Sequence, residues 1–337
     1  MNNTPHTNCL TLHLLHAAKG YKAVAFDIFD TLLKRDCAHP ADLFALMEVT
    51  HQAALGFAGA RAAAEAETRQ TLGREVTLAE IYAHPALRGT DPAAECAAEL
   101  AMIAPNRPVA QAAAACHARG QKVYAVSDMY LPKEQIEAML QKCGLDFLDG
   151  VFVSCEYRVQ KRSGKLFKLF LQQTALRPAE VLFVGDSPRA DFAGAALAGI
   201  RCFLLPQPTP LPYTKTPADA VGGAAIATLQ NCCQNLNPSA ALGAELLGPL
   251  AVGFATWLHG QRAAIPGAKL VFLARDMYLV RQVYQLLYPE EETFYLKASR
   301  QSLLPALLQC PMNEQALALL ADTLPRQQLT QRQIAAY

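Results

Sequence analysis

The stretch that most constrains the fold lies near the start of the chain, where a short apolar run is followed at once by acidic residues. Residues 24–26 are apolar and are typical of a buried parallel strand. Asp27, Asp30 and Thr31 follow directly. Burying carboxylates and a hydroxyl at the end of a strand costs free energy unless these groups bind something. Because ligands of open α/β sheets bind at the carboxyl ends of the strands, this stretch predicts an α/β fold with a site there.

Later segments repeat this pattern of an apolar strand with polar residues after it. The further strand patterns lie at 121–126, 150–154 and 180–184. The polar residues that follow them are Ser127, Asp128, Lys161, Asp186 and Asp191. A series of strands separated by helical patterns favours a doubly wound, Rossmann-like parallel sheet.

These segments, in this order, resemble the four motifs of the haloacid dehalogenase-like (HAD) hydrolase superfamily. The resemblance implies that Asp27 is a nucleophile that becomes an aspartyl phosphate, or an ester in the dehalogenases. It also implies that Ser127 holds the transferring phosphoryl group and that Lys161 offsets the negative charge, as a compact ammonium does well. Lys161 stands at the expected spacing from Phe167 in the third motif. Lys165 is the alternative, and we favour Lys161.

The same resemblance predicts a Mg²⁺ cofactor. Mg²⁺ prefers hard oxygen ligands in octahedral geometry, taken from carboxylates, a carbonyl and waters. Asp27 and Asp186, at adjacent strand ends, can share one ion with the backbone carbonyl of Phe29. Asp191 is expected in or near the second shell of that ion.

The sequence departs from most HAD phosphatases at the residue two beyond the nucleophile. Most carry a second Asp there, the general acid for the leaving group and then the base for water, whereas this chain has Phe29. The metal site is retained, because the family uses only the backbone carbonyl at this position. General acid–base catalysis contributes about 10²–10⁴-fold in rate, so its loss would make a slow hydrolase.

Three explanations fit the missing carboxylate. Asp30 or Asp128 takes the acid–base role from a shifted position, or the substrate has a good leaving group or supplies its own acid. Alternatively, the site performs dehalogenase chemistry, where the corresponding residue is often aromatic. Dehalogenases work without Mg²⁺, whereas Asp186 and Asp191 retain the acidic metal motif. We therefore favour phosphoryl chemistry. The predicted catalytic residues are Asp27, Asp30, Ser127 and Lys161.

Between residues 38 and 118 the composition changes to Ala, Leu and Glu, with apolar positions at helical spacing. An all-helical insertion directly after the first strand resembles the cap of many HAD enzymes, which closes over the active site and selects the substrate. Arg61, Glu65 and Arg69 share one helix face there. One interpretation is a solvated face with two weak ion pairs. The other is an arginine fork over an anionic substrate, and we predict substrate contacts by these residues and Asp128.

The predicted domain organisation has a core, a cap and an appendage. We place the HAD-like core at 18–37 and 119–205, and the helical cap at 38–118. A Pro-rich linker is predicted at 206–217, followed by a C-terminal helical and partial α/β domain at 218–337.

The C-terminal part contains a second strand pattern that ends in Arg275 and Asp276, and a further one before Ser299 and Arg300. It lacks a first-motif nucleophile, so we predict no second active site. It is either a structural half-domain or a site for an anionic ligand or a partner. The chain stops soon after Arg300, which leaves the completeness of this domain open.

Composition argues against several classes of protein. The net charge of +1 gives no broad surface for nucleic acid. The ten cysteines include no CxxC pair and no secretory signal precedes the first strand, so we expect reduced thiols. No apolar run reaches the roughly 18 residues of a membrane span. We expect a cytoplasmic protein with no nucleic-acid partner and no membrane span.

The substrate class rests on a finer resemblance. Four motifs together resemble a less-studied bacterial HAD group: Phe-Asp-Ile-Phe-Asp-Thr-Leu-Leu, Ser-Asp-Met-Tyr-Leu-Pro, Lys-x-x-Gly-x-Leu-Phe and Phe-Leu-Ala-Arg-Asp. Its members are often found with glycosyltransferases and surface-polysaccharide assembly. The resemblance implies a small-molecule or glycan-linked phosphate as substrate and a glycosyltransferase as a partner. A non-catalytic binding or assembly module on an HAD scaffold is the alternative.

Overall fold

The computed structural model describes residues 9–206, 217–234 and 236–298. Most of the predicted linker and the strand-end residues Ser299 and Arg300 lie outside these ranges. Within them the strands are β1 (Ala23–Phe26), β2 (Leu33–Arg35), β3 (Ile103–Pro105), β4 (Lys122–Ser127), β5 (Gly150–Val153), β6 (Val181–Gly185), β7 (Arg201–Leu204), β8 (Leu270–Leu273) and β9 (Thr293–Leu296).

Helices connect and cover these strands. The α-helices are α1 (Cys9–Ala17), α2 (Asp42–Val49), α3 (Phe57–Leu72), α4 (Leu78–Tyr82), α5 (Pro92–Ala101), α6 (Arg107–Ala118), α7 (Lys133–Lys142), α8 (Ser154–Tyr157), α9 (Lys165–Thr174), α10 (Gly194–Leu197), α11 (Pro217–Cys233), α12 (Pro238–Leu242), α13 (Gly248–Ala263) and α14 (Tyr278–Leu287). Short 3₁₀ turns cover Pro85–Leu87, Lys161–Ser163 and Pro178–Glu180, and π-helical turns cover Pro188–Ala193 and Gly243–Leu247.

Five strands form one parallel sheet in the order β5–β4–β1–β6–β7. Phe26, the last residue of β1, lies opposite Ala125 of β4 and Val184 of β6. The chain builds the sheet outward from β1 through β4 and β5, and then returns to the other side of β1 with β6. The gap between the carboxyl ends of β1 and β6 is therefore a topological switch point, where open α/β sheets bind their ligands.

The sheet is buried on both faces, as its apolar strands require. Along β1, Val24 and Phe26 belong to one core cluster, and Ala23 and Ala25 belong to the other. The second cluster includes Phe167 of α9, whose apolar residues recur at helical spacing. The predicted doubly wound α/β fold with flanking helices is confirmed.

The chain leaves the core and returns to it through an antiparallel pair of strands, which we call the hinge (β2 and β3). Leu33 pairs with Pro105, and Arg35 pairs with Ile103. Helices α2 to α5 lie between these strands in the sequence and form the helical cap. Helix α6, which the sequence analysis placed at the end of the cap, packs against α1 and β4 beside the sheet.

Contacts divide the chain into two compact units, Met1–Ala241 and Leu242–Tyr337. Helix α11 lies in the first unit, where Ala220 packs with Cys37 and Leu46. The sequence analysis assigned this helix to the C-terminal domain, but its contacts are with the first unit. The other predicted boundaries stay predictions.

The second unit contains a small parallel α/β motif in which α14 connects β8 to β9. Phe272 of β8, Ala255 of α13 and Tyr284 of α14 form its buried centre. This motif agrees with the predicted partial α/β domain. Arg275 and Asp276, which follow β8, are exposed.

One helical run of the described residues, Pro238–Ala263, is long and apolar enough to cross a membrane by length and composition. A core helix of a soluble protein can pass the same two criteria, so these criteria alone do not assign it to a membrane. The predicted absence of a membrane span stays a prediction.

Candidate active site

Three predicted site residues meet at the carboxyl ends of neighbouring strands. Asp27 follows β1, Ser127 ends β4, and Asp186 follows β6. The backbone amide of Asp27 donates to the carbonyl of Val184 at 2.8 Å, so the β1–β6 ladder continues to the site. Asp27 and Ser127 are buried, and Asp186 is half-buried.

Asp27, Asp186 and Asp191 form a carboxylate cluster. An oxygen from each lies within 4.8 Å of the others. Asp191 Oδ2 accepts hydrogen bonds from the backbone amides of Asp186 and Ser187, at 3.0 and 2.9 Å. Gly185 makes this close approach possible, because a Cβ there would lie 2.4 Å from Asp191 Oδ2. Hard oxygen donors gathered in this way suit a divalent cation such as Mg²⁺.

Lys161 supplies the positive charge of the cluster. Its Nζ lies 2.6 Å from Asp27 Oδ1 and 2.6 Å from Asp191 Oδ1, and the side chain is only 3% exposed. Lys165, the alternative in the sequence, is exposed at the start of α9. The structure therefore places Lys161, which the sequence analysis favoured over Lys165, against Asp27.

The loop that carries Lys161 is held by two features. Both carboxylate oxygens of Asp128 accept a hydrogen bond from the Lys161 backbone amide, at 2.8 and 3.1 Å. Gly194 lies against the other side of the loop, where a Cβ would be 2.3 Å from the Lys161 carbonyl oxygen. Asp128 was predicted to contact substrate, and the structure gives it a bond to this loop.

Burial and charge shift the proton affinities of the pair. Burial raises the pKa of Asp27 to about 7, with Lys161 opposing the rise and the Asp191 carboxylate adding to it. Burial would lower the pKa of Lys161, but the carboxylates of Asp27 and Asp191 outweigh it, and the pKa is raised. Lys161 is therefore charged at neutral pH. Bound Mg²⁺ would lower the pKa of Asp27, because a cation favours the ionised carboxylate.

The sequence itself assigns this site to a family. The profile of the family described as haloacid dehalogenase-like hydrolase matches residues 21–199, more than half of the 337-residue chain. The chain belongs to the haloacid dehalogenase-like (HAD) hydrolases. The predicted HAD resemblance and the hydrolase class are thereby confirmed.

Several solved HAD structures are similar to part of this chain. A HAD phosphatase from Thermococcus onnurineus is 20% identical, with 58% of this chain and 91% of that chain covered and a TM-score of 0.42. The HAD hydrolase YfnB from Bacillus subtilis, bound to magnesium, is 20% identical, covering 55% and 88%, with a TM-score of 0.40. The L-2-haloacid dehalogenase from Xanthobacter autotrophicus is 19% identical, covering 66% and 87%, with a TM-score of 0.41. No curated protein matches the chain. At these identities and scores, the similarities carry no statement about activity.

The HAD acid–base position is occupied by an aromatic ring. Phe29 is 9% exposed, and the Arg35 guanidinium lies 4.0 Å from the centre of its ring. Asp30, one candidate to replace the missing carboxylate, is exposed and has a left-handed backbone with φ of 59°. Its carbonyl oxygen accepts from Lys34 Nζ at 3.0 Å, and its carboxylate lies 3.8 Å from the same ammonium. Asp30 does not belong to the carboxylate cluster found among the described residues.

Asp128, the other candidate, is bound to the loop that carries Lys161. It binds the amide of Lys161, whose ammonium contacts Asp27. Burial raises the pKa of Asp128, against the opposing charge of Lys161. Between the two carboxylates proposed in the sequence analysis, the geometry favours Asp128.

The cap arginines predicted to contact substrate are bound by carboxylates of the cap itself. The buried Arg61 donates through Nε and Nη2 to Glu95, at 2.6 and 2.8 Å, and through Nη1 to Glu65 at 3.0 Å. Arg69 donates to Glu65 at 2.9 Å and to Glu75 at 2.6 Å. Arg61 is also stacked on aromatic rings of the cap and core. This arrangement favours a structural role for the face, in which Arg61 is buried and Glu65 and Arg69 are half-buried.

The cap reaches the segment before Lys161 through two acidic side chains, one of which is Glu80, which accepts from Arg158 Nη1. Glu75 Oε2 accepts from Gln160 Nε2 at 2.7 Å, and Gln160 directly precedes Lys161. A further contact joins the amide of Leu78 to the carbonyl of Tyr130 at 2.8 Å. The cap of this chain therefore lies against the loop that supplies the site lysine.

Two residues of the site received no role in the sequence analysis. The Thr31 hydroxyl donates to Asp186 Oδ1 at 3.3 Å, and the Thr31 carbonyl accepts from Asn106 Nδ2 at 2.7 Å. The place of Thr31 in the first motif is a signal that could have identified it. Asn106 is 75 residues away in the chain, and no local pattern indicates this contact.

Proposed function

We propose that this HAD hydrolase is a Mg²⁺-dependent phosphatase or phosphotransferase that acts on a phosphate ester through an aspartyl-phosphate intermediate. The observation that carries the proposal is the 2.6 Å pairing of Asp27 Oδ1 with Lys161 Nζ within a cluster of carboxylates. Phosphoryl transfer requires mainly positioning and charge neutralisation around the transferred group. A nucleophilic carboxylate beside a cation and oxygen ligands supports this chemistry.

The residues present fit Mg²⁺ by the chemistry of their donors. Asp27 and Asp186 would hold the ion together with the backbone carbonyl of Phe29, and all of these donors are hard oxygens. Asp191 would act behind them, since its Oδ2 is bound by the amides of Asp186 and Ser187. When bound, Mg²⁺ would neutralise part of the negative charge on the phosphoryl oxygens.

In the proposed reaction, a carboxylate oxygen of Asp27 attacks phosphorus in line with the departing ester oxygen. An Asp27 O–P bond forms while the ester O–P bond breaks, and the leaving oxygen takes up a proton to become an alcohol. Water then attacks phosphorus, which releases inorganic phosphate and restores the Asp27 carboxylate. In a phosphotransferase, an acceptor hydroxyl takes the place of water. Ser127 and Lys161 hold the phosphoryl oxygens in both steps.

The proton for the leaving group needs a donor other than Phe29. We assign this role to Asp128 because its burial raises its pKa, so that it can hold a proton closer to neutral pH than an exposed Asp can. A substrate whose leaving group is itself acidic would need no such donor. The activities of aryl and alkyl phosphates would distinguish these two cases, since aryl leaving groups are the more acidic.

A sugar phosphate or a glycan-linked phosphate is the proposed substrate class, with the reaction in the cytoplasm and a glycosyltransferase as partner. This part of the proposal is supported by the motif resemblance to the bacterial group found with surface-polysaccharide assembly, which is an argument by analogy.

Phe29 is the observation that favours other functions. An aromatic residue at the acid–base position suits a non-catalytic HAD scaffold or a dehalogenase. The carboxylate cluster and the buried Lys161 favour phosphoryl chemistry over both, because a scaffold has no need to bury these charges together and a dehalogenase needs no metal site.

The test is phosphate release from a panel of sugar phosphates and one aryl phosphate, with Mg²⁺ and with chelator, for the wild type and Asp27→Asn. Mg²⁺-dependent release that disappears in the variant would support the phosphatase and rank its substrates. No release from any ester, by folded protein that binds Mg²⁺, would favour a binding module or a specialised transferase. Halide release from 2-haloacids in the presence of chelator would favour the dehalogenase.

A further inference from the structure

Arg35 connects the cap to the loop that follows the nucleophile. It donates through Nε and Nη2 to Glu99 of α5, at 3.0 and 3.2 Å, and both side chains are buried. The same guanidinium lies 4.0 Å from the centre of the Phe29 ring. Its planar face therefore contacts the nucleophile loop while its edge binds a cap carboxylate, a geometry that Lys cannot reproduce.

The backbone of Arg35 is hydrogen-bonded on two sides. Arg35 pairs with Ile103 across the hinge. Its carbonyl accepts a hydrogen bond at 3.1 Å from Asn231 of α11. Gln234, just beyond α11, binds the other hinge strand through the carbonyl of Pro105 at 3.3 Å. Helix α11 lies outside residues 21–199, the part of the chain that matches the HAD profile.

The nucleophile loop depends on this contact because it is short and tightly turned. The amide of Leu33 donates to the carbonyl of Ile28 at 2.8 Å and closes a turn around Phe29. Asp30 within the turn has a left-handed backbone. In so tight a turn, a shift of the Phe29 ring also shifts the Phe29 peptide, whose carbonyl is a Mg²⁺ ligand in the proposed function.

We propose that Arg35 is a positioning residue for the metal site, acting through Phe29. The proposal rests on the Mg²⁺ ligands of the proposed function. Groups behind the direct ligands orient them, and their loss costs about 10–100-fold in metal affinity. Arg35, bound to the cap through Glu99, makes the position of the Phe29 carbonyl depend on the docking of the cap.

The alternative is that Arg35–Glu99 is only a buried ion pair. The chain offers a matched control in Arg61–Glu95, since Glu95 lies one helical turn from Glu99 on α5. Arg61 is also buried, bidentate and stacked on an aromatic ring, at 4.8 Å from the centre of Phe44. It makes no described contact with the nucleophile loop.

The experiment is calorimetric titration of Mg²⁺ into the full chain without substrate, alongside thermal unfolding. Both buried charges are removed together, as Arg35→Met with Glu99→Gln and as Arg61→Met with Glu95→Gln, so that no buried charge is left unpaired. We expect the first pair to raise the Kd for Mg²⁺ by about 10-fold or more. The control pair should lower Tm to a similar extent and leave the Kd within about 2-fold, because no metal ligand moves.

Equal Mg²⁺ affinity in the wild type and the Arg35 variant would overturn the proposal. If that variant does not fold, Phe29→Leu removes the ring and keeps the Arg35–Glu99 pair, and a Kd within 2-fold of the wild type would overturn it equally. Asp186→Asn in the same titration separates the two hypotheses. If the wild type binds Mg²⁺ no better than Asp186→Asn, the metal site of the proposed function is wrong; if only the Arg35 comparison fails, the metal site stands.

Discussion

The carboxylate cluster at the strand ends and the arginine cluster in the cap are both buried and rich in charge, but they differ in how the charges are matched. In the cap, the oxygens of Glu65, Glu75 and Glu95 all accept from named donors, mostly arginine N–H groups. At the strand ends, the carboxylates of Asp27 and Asp191 share the ammonium of Lys161, and Asp186 lies beside them.

The difference teaches how a buried charged group can be interpreted. Matched charges stabilise a packing arrangement that is complete by itself, whereas an excess of one sign is costly unless a ligand of opposite sign binds. The strand-end cluster has three carboxylates for one ammonium. The cap cluster has three carboxylates for two arginines, whose two-pronged N–H groups, together with Gln160, reach every carboxylate oxygen. The first is therefore the candidate active site, and the second is a structural part of the cap.

The largest expected effect is the loss of activity in Asp27→Asn. Asp27 is the nucleophile of the proposed function, and its removal would leave only binding and electrostatic stabilisation, so we expect phosphate release to fall by at least about 10³-fold. Steady-state release with a saturating active substrate measures this loss, and circular dichroism checks that the variant is folded. Retention of more than a tenth of the activity would show that Asp27 is not the nucleophile.

Arg61→Ala tests the other side of the comparison. It leaves Glu95 buried without its charged partner, with only the hydrogen bond from the Tyr82 hydroxyl, and the loss of one member of a buried ion pair typically costs about 3–5 kcal/mol in the free energy of unfolding. Urea denaturation measures this loss of stability. Arg74→Ala is the control, because Arg74 is more exposed and its removal should lower the free energy of unfolding much less. A variant of unchanged stability with a raised KM would reverse our interpretation and return Arg61 to substrate binding.

The raised pKa of Asp27 predicts that the buried carboxylate at the strand ends makes the stability of the protein depend on pH. The pKa of Asp27 is 3.8 as an ordinary side chain and about 7 in the folded protein, because burial penalises the ionised form. Between these values the folded state binds more protons than the unfolded state, so the contribution of Asp27 to stability falls as the pH rises through this window. Urea denaturation in chelator at a series of pH values should show this fall, reduced in Asp27→Asn. A contribution that rises with pH would contradict the raised pKa.

The smallest expected effects on stability are those of two glycine substitutions, one in the core and one in the cap. In Gly194→Ala the new Cβ would be 2.3 Å from the Lys161 carbonyl, and relieving this overlap should cost about 1–3 kcal/mol. Gly59→Ala in α3 meets no atom within 4 Å and should instead stabilise by roughly 0.5–1 kcal/mol. Thermal unfolding measures both. Equal effects of the two substitutions would show that the Lys161 loop is not held against α10.

Much of the fold was predictable because it depends on local patterns. The apolar run before Asp27 and the run before Asp186 predict strands, and the order of the HAD motifs predicts that these strands are neighbours. The choice of Lys161 over Lys165 also followed from the spacing of Lys161 to Phe167, which fits the third HAD motif. The sequence analysis did not place α11 with the first unit, because the hydrogen bonds of this helix to the hinge region join residues that are 195 and 196 positions apart in the chain.

The sequence by itself determined which chemistry is available, since the residue types and their places at strand ends are local properties of the chain. Only the tertiary structure decided which charges are matched. Glu95, which binds Arg61, is 34 residues away, and Lys161 reaches Asp27 across 134 residues. A helical spacing shows that Arg61 and Arg69 share a face, but whether that face meets substrate or carboxylate depends on which helix packs against it. For the same reason, only the folded structure shows that Arg35 contacts both Phe29 of the nucleophile loop and Glu99 of the cap.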